Sequence, residues 1–193
     1  MPKPYDRTTY GGKTVDWLTR AALEETAKRL GYLDGLTITQ GSYNAGGVSA
    51  SAGTHDGGGV VDLSSYEQER KVRELRKMGF AAWFRPTIPG LWPAHIHAVL
   101  IGNKRLAPVA RRQVDAYLAG RDGLAGNGPD NGPRDFVDRR FRWRKGEQRI
   151  NRAANLIARA RAVLSEGIRG YPGVAKVRKS LGAAARDLPR TRS

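Results

Sequence analysis

The stretch of sequence that decides the fold is Gly53-Thr54-His55-Asp56-Gly57-Gly58-Gly59-Val60-Val61-Asp62. Its end is a short β-type run that continues to Leu63, and the glycines before that run let the backbone fold back. His55 and Asp62 can therefore reach the same metal ion. The other two histidines of the chain both lie in the segment Pro93-Ala94-His95-Ile96-His97.

The second motif places two imidazoles on one face of a predicted strand. Residues two apart on a strand share a face, so His95 and His97 point the same way and Ile96 points to the other side. A His-x-His pair alone usually has no metal-binding role and lies on the surface or in the core, and a glycine run is commonly just a loop. Both motifs together, in a chain with three histidines and no cysteine, favour a metal site.

The residue types of this set suit zinc. A catalytic zinc ion typically has three protein ligands and a fourth position for water, and both imidazole nitrogen and carboxylate oxygen bind it well. We therefore predict one Zn²⁺ held by His55, Asp62 and His97, with a loop supplying the first ligand and a rigid strand the last.

The two motifs resemble those of the D-Ala-D-Ala metallopeptidases, which are close to the lysostaphin-like and hedgehog-like zinc domains. The first family motif runs Ser-x-His-x-x-Gly-x-Ala-x-Asp, and the last histidine of the second binds the metal. The matching positions over roughly residues 15–118 are His55, Gly58, Asp62 and His97, with Gly53 for the serine and Val60 for the alanine. The resemblance implies an α+β fold, one zinc ion and hydrolysis of peptide bonds in peptidoglycan stems or cross-bridges. Phage endolysins and bacterial carboxypeptidases both belong to this group.

One position departs from the family pattern. Many members carry an acid three residues before the last ligand, where this chain has Ala94, and residues 76–114 contain no acid at all. Members with the His-x-His form resemble this chain better, and their first histidine assists at the metal. The resemblance therefore implies that His95 is the catalytic residue, and Asp56, beside a ligand, is a weaker candidate for a base.

Substrate-binding residues are expected after the strand that precedes the first motif. The resemblance places Gln40 and Tyr43 there, although both also suit an ordinary loop. Family members often have an arginine nearby and residues 39–43 contain none, which favours an endopeptidase over a carboxypeptidase. Trp83 and Trp92 flank the metal strand, and we expect core packing for them, with a wall of the cleft as the alternative.

The resemblance also implies a small antiparallel sheet with flanking helices, and the remaining sequence adds a basic helical extension. We expect a peptidase-like domain over 1–120, a Gly/Pro-rich linker or lid over 121–133, and the extension over 134–193. Helices are predicted over 15–30, 65–78 (with a capping box formed by Ser64 and Glu67), 107–118 and 147–164, and strands over 36–39, 58–63, 80–84 and 94–101. The last 25 or so residues read as a mobile tail.

Charge is concentrated in the last third of the chain. Residues 134–193 contain 17 Lys or Arg and 5 Asp or Glu, a net charge of +12, whereas the whole chain carries +16. Such a segment attracts anionic polymers, including a cell wall or nucleic acid. Nucleic acid is the weaker expectation, because Phe141-Arg142-Trp143-Arg144 is the only aromatic-basic stretch there.

The N-terminal sequence has no apolar core of the kind that a signal peptide needs, and no run approaches the length of a membrane span. We therefore expect synthesis in the cytoplasm, without a signal peptide. By the resemblance, the protein acts at the bacterial cell wall or is carried in a phage virion. The alternative is a catalytically silent module on the same fold, with zinc as a structural ion or with a role in cell-wall binding.

Overall fold

The computed structural model describes residues 2–47, 49–137 and 139–143. Within them the chain is α+β, as predicted, with small antiparallel sheets and three helices. The elements in chain order are β1 (Arg7–Tyr10), β2 (Lys13–Asp16), α1 (Trp17–Leu30), β3 (Ile38–Gln40), β4 (Val60–Ser64), α2 (Gln68–Lys77), β5 (Phe80–Arg85), β6 (His95–Leu100) and α3 (Pro108–Leu118).

The larger sheet has four antiparallel strands in the order β3-β4-β6-β5, and β1 and β2 form a separate hairpin. One row of residues crosses the whole larger sheet, because Gln40 pairs with Asp62, Asp62 with His97, and His97 with Trp83. The sequence motifs therefore lie side by side at the centre of the sheet. The hairpin was not predicted, although Gly11 and Gly12 between two β-type runs mark its turn.

Each face of this sheet has its own hydrophobic core, as strand alternation requires. Ile96 and the alternate residues of β4 and β5 pack with α1 and α2 on one face. The opposite face packs against α3 through Val60, Trp83 and Val99. The candidate metal ligands are on the α3 face, beyond the part of it that α3 covers.

Two helix boundaries differ from the prediction. The first helix begins at Trp17 because the Asp16 carboxylate caps it, accepting a hydrogen bond from the Thr19 amide at 2.8 Å. The predicted capping box at Ser64 and Glu67 is wrong. Ser64 ends β4, and Glu67 precedes α2 without capping it, because its carboxylate accepts hydrogen bonds from Tyr32 and Arg70 instead.

The segment 121–133 packs on the domain and does not stand apart from it. The compact unit runs over Met1–Trp143, beyond the boundary expected at residue 120. The buried Arg76 side chain binds this segment, donating to the Asp130 carboxylate at 2.9 Å and to the Pro133 carbonyl at 2.7 Å. The predicted helix over 147–164 and the predicted tail lie outside the described residues.

Candidate metal centre

The three predicted ligands come together at the centre of the sheet. His55 is in the loop before β4, Asp62 is in β4, and His97 is directly opposite Asp62 in β6. All three side chains are buried, and one ligand atom from each lies within 4.8 Å of the others. This group could hold a metal ion.

The glycines before β4 let His55 reach the site. Gly59 has a φ of +81°, and a side chain at Gly57 would collide with the backbone of Arg105 and Ala107. In the resulting turn, Nδ1 of His55 is 2.8 Å from the carbonyl oxygen of Gly41. Since that oxygen can only accept, Nδ1 carries the hydrogen and Nε2 is left with its lone pair, 3.3 Å from Oδ1 of Asp62.

The orientation of His97 is fixed in the same way, by a residue that the sequence analysis did not single out. Nε2 of His97 is 2.9 Å from Oε1 of Gln113 in α3, and the Gln113 amide group donates to the Gly123 carbonyl at 3.4 Å. This second contact turns the Gln113 oxygen towards His97. Nε2 therefore carries the hydrogen, and Nδ1 faces Oδ1 of Asp62 at 2.8 Å.

The site thus presents three electron-pair donors to one point. In these orientations His55 and His97 both turn a lone pair towards the Asp62 carboxylate, an arrangement that a cation between them stabilises. Burial opposes ionisation of Asp62, but when an imidazole instead carries its proton on the side of Asp62, the hydrogen bond that it donates holds the pKa of this carboxyl below its usual range. Burial lowers the pKa of His97, although Asp62 acts in the opposite direction. An ionised carboxylate and a neutral imidazole are the forms that bind metals.

A cleft of about 1030 Å³ opens over these residues. His95 lies in its wall with its side chain 15% exposed, and Nε2 is 4.0 Å from Oδ1 of Asp62. Nδ1 of His95 is 2.8 Å from the Pro93 carbonyl oxygen, so it carries the hydrogen and Nε2 is an acceptor. His95 and His97 share one face of β6, as predicted.

Of the two predicted substrate-binding residues, one lines the cleft and the other does not. Gln40 lines the cleft, where its side chain exchanges hydrogen bonds with the Ser51 hydroxyl. Tyr43 does not line the cleft; its ring lies under the Arg7 guanidinium, and its hydroxyl faces Asp16. A φ of +57° in the turn after Ser42 points Tyr43 away from the site. Tyr43 is therefore not placed to bind substrate.

Asp56 and the two tryptophans also differ in position. Asp56 is exposed and is not part of the cleft lining, so it is not placed to act as a base. Trp83 is buried and stacks on His97 with ring centroids 6.2 Å apart, which confirms its packing role. Trp92 instead lines the cleft and meets His95 edge-on.

Arg85 is a further cleft residue that the sequence analysis missed. It ends β5 directly opposite His95, and its side chain is buried beneath the cleft wall. Its position on a strand face shared with Trp83 was a usable signal, but its own segment could not reveal the strand register that brings it beside His95.

The chain matches no model of a known protein family, no curated protein and no solved structure. In the part that the structure describes, no helix has the length and apolar character needed to cross a membrane.

Proposed function

We propose that the protein is a zinc-dependent peptidase that hydrolyses peptide bonds in peptidoglycan stems or cross-bridges, on a fold of the hedgehog and D-Ala-D-Ala peptidase type. The observation that carries the proposal is the convergence of His55 Nε2, Asp62 Oδ1 and His97 Nδ1 beneath an open cleft. Three ligands with space above them suit a catalytic ion, which needs a free position.

The donor chemistry supports zinc in particular. Two imidazole nitrogens and one carboxylate oxygen form a set that zinc readily accepts, whereas Mg²⁺ and Ca²⁺ prefer oxygen ligands only. Each histidine also donates its N–H, on the ring nitrogen that faces away from Asp62, to an oxygen acceptor, Gly41 for His55 and Gln113 for His97. That second contact is usual for zinc-bound histidine, since it fixes the ring and raises its basicity.

His95 is the proposed catalytic residue. When bound, zinc would supply Lewis-acid polarisation of the scissile carbonyl and lower the pKa of a water molecule to about 7. His95 Nε2 would accept a proton from a water molecule that adds to the carbonyl carbon, and would return it to the nitrogen that leaves when the C–N bond breaks. The Pro93 carbonyl holds the ring in the required tautomer. His95 would thereby replace the acid that many family members carry at the position of Ala94.

The proposal that the protein acts at the cell wall rests on the family resemblance and on the charge of the C-terminal third. A net charge of +12 in residues 134–193 suits an anionic wall polymer, and we propose a phage-encoded lysin or virion-borne enzyme as the setting. Nucleic acid is the competing anionic partner, and a comparison of wall binding with DNA binding distinguishes the two.

The second candidate is a catalytically silent zinc module. It is favoured by the absence of any acid in residues 76–114, and by the 4.0 Å separation of His95 Nε2 from Asp62 Oδ1. At that separation a small shift would make His95 a fourth ligand and close the site, as in structural zinc centres.

The variant His95→Ala distinguishes the candidates when zinc content and peptide hydrolysis are measured together. In a peptidase with three ligands, the variant keeps about one zinc per chain and loses roughly 100-fold or more in hydrolysis of stem and cross-bridge peptides. In a closed structural site, it loses zinc and thermal stability together. Asp56→Asn is the matched control, because Asp56 neighbours a ligand but lies outside the cleft lining. Zinc-loaded wild type that cleaves none of these peptides would exclude the peptidase.

A further inference from the structure

Arg85 is a buried cation in the wall of the cleft. Its relative exposure is 5%, yet it belongs to the residues that line the cavity above the metal centre. Burial lowers the pKa of its guanidinium to about 10, which leaves it charged at neutral pH. A charge in such a place is costly unless it has a charged or strongly polar partner.

The partners that the described residues provide satisfy little of this group. One nitrogen donates to the carbonyl oxygen of Asp122, and the guanidinium lies 5.0 Å from the centre of the Trp83 ring. No described carboxylate lies within ion-pair distance of it. A guanidinium has five N–H donors in a planar fork that matches a carboxylate, so most of its binding capacity remains unused.

The acids that act on Arg85 from farther away are engaged elsewhere. Asp62 faces the two metal-site histidines, and Asp130 is bonded to Arg76. Asp122 accepts a hydrogen bond from the Leu124 amide. None of these three carboxylates therefore neutralises Arg85 directly.

The place of Arg85 in the sheet puts it beside the reacting centre. Directly opposed residues of antiparallel strands have Cβ atoms about 5 Å apart, and Arg85 is directly opposite His95. Gln40 lies at the other edge of the same sheet, on β3. The cleft thus has a neutral polar side at β3 and a cationic side at β5, with the metal centre between them.

We propose that Arg85 is the binding site for a carboxylate of the substrate next to the scissile bond, so that the enzyme selects acidic peptides. This inference rests on the proposed function. Arg112 and Arg121 also line the cleft, and neither forms an ion pair with any described residue. Asp115 is the one acid of the described lining besides Asp62, so the cavity attracts anions before the contact with Arg85 forms.

Hydrolysis and binding of one synthetic stem pentapeptide test the assignment. The peptide is prepared with its carboxylates free, with the C-terminal carboxylate amidated, and with the glutamate carboxylate amidated. We expect the wild type to prefer the free form over one of the amides by about 10- to 100-fold in kcat/KM, the range for a hydrogen bond to a charged group. In Arg85→Gln that preference should fall below about threefold. In Arg85→Lys it should be intermediate, because lysine keeps the positive charge but lacks the planar pair of N–H donors that arginine presents to a carboxylate.

The controls separate this role from others. Lys104→Gln removes an exposed charge outside the cleft and should keep the full preference, which excludes an effect of net charge. Zinc content and melting temperature are measured for each variant. If Arg85→Gln weakens hydrolysis of all three peptides equally, Arg85 only anchors Asp122 and the proposal is wrong.

Binding separates this proposal from the proposed function. Calorimetric titration of the zinc-loaded full chain with the same peptides needs no turnover. Discrimination between acid and amide in binding, lost in Arg85→Gln but without hydrolysis by the wild type, would support the carboxylate site and contradict the peptidase. Hydrolysis with equal affinity for acid and amide forms would support the peptidase and overturn the carboxylate site.

Discussion

Replacing Gln113 by leucine should weaken zinc binding although Gln113 is not a ligand. The change removes the oxygen that lies 2.9 Å from Nε2 of His97 and leaves this N–H without its partner in a half-buried position. An unpaired buried donor costs about 1–3 kcal/mol. The cost falls mainly on the metal-loaded state, because zinc at Nδ1 prevents the ring from turning to another acceptor. That energy corresponds to about a 5- to 150-fold loss of zinc affinity, near the range for outer partners of zinc-bound histidine.

The affinity is measured by competition with a chromophoric zinc chelator at fixed pH. Gln113→Glu is the conservative partner, and it should bind zinc at least as tightly as wild type, because a carboxylate accepts a stronger hydrogen bond and adds a negative charge near the ion. Gln68→Leu makes the same chemical change at the start of α2, away from the cleft. Equal zinc affinity of Gln113→Leu and wild type would refute the assigned tautomer of His97 and the role of Gln113.

Three further predictions follow from the same geometry. His97→Ala and Asp62→Ala should each lose the bound zinc, measured by elemental analysis, because each removes one of three ligands; unchanged metal in both would refute the site. Asp130→Ala should lower the free energy of unfolding by about 3 kcal/mol at pH 7, because it leaves buried Arg76 unpaired. Burial opposes ionisation of Asp130, but Arg76 holds the pKa of the folded Asp130 carboxyl below its usual value. The stabilisation from the Asp130–Arg76 ion pair is therefore present above about pH 4 and is lost as the pH falls further. A difference in unfolding free energy between wild type and Asp130→Ala that stays constant down to pH 2 would contradict this. Binding of the full chain to purified cell walls should weaken steeply between about 50 and 500 mM salt, because the attraction is screened; tighter binding to DNA than to walls would instead favour the nucleic-acid alternative.

The cluster of His55, Asp62 and His97, which could hold a metal ion, could be predicted because histidine is rare in this chain. With three histidines and no cysteine, few combinations of ligands are possible, and strand periodicity already puts His95 and His97 on one face. The glycine run before Asp62 then allows the loop to carry His55 to the same point. The general α+β class was implied by the resemblance, and the local patterns of strand, helix and turn agreed with it.

The residues that the sequence analysis missed depend on contacts outside their own segments of the chain. Gln113 reaches His97 only because α3 packs on that face of the sheet, and Arg85 reaches the cleft only through the register of β5 against β6. Glu67 was assigned to a capping box because its partner Tyr32, 35 residues away, is invisible to a local pattern. Local patterns specify which side chains can bind a metal, whereas tertiary packing decides which others surround them.

The segment 121–133 shows how local composition and tertiary packing differ in what they specify. Its glycines and prolines predicted a linker or lid, but composition does not say whether a flexible sequence is tied to anything. Buried Arg76 ties it at Asp130, Arg85 donates to the carbonyl of Asp122, and Gln113 donates to the carbonyl of Gly123. The segment thereby holds both the residue that orients a metal ligand and the cation of the cleft wall. If the proposed metal site and carboxylate site are right, we expect Asp130→Ala to weaken zinc affinity and the acid-over-amide preference together, although Asp130 contacts neither His97 nor Arg85.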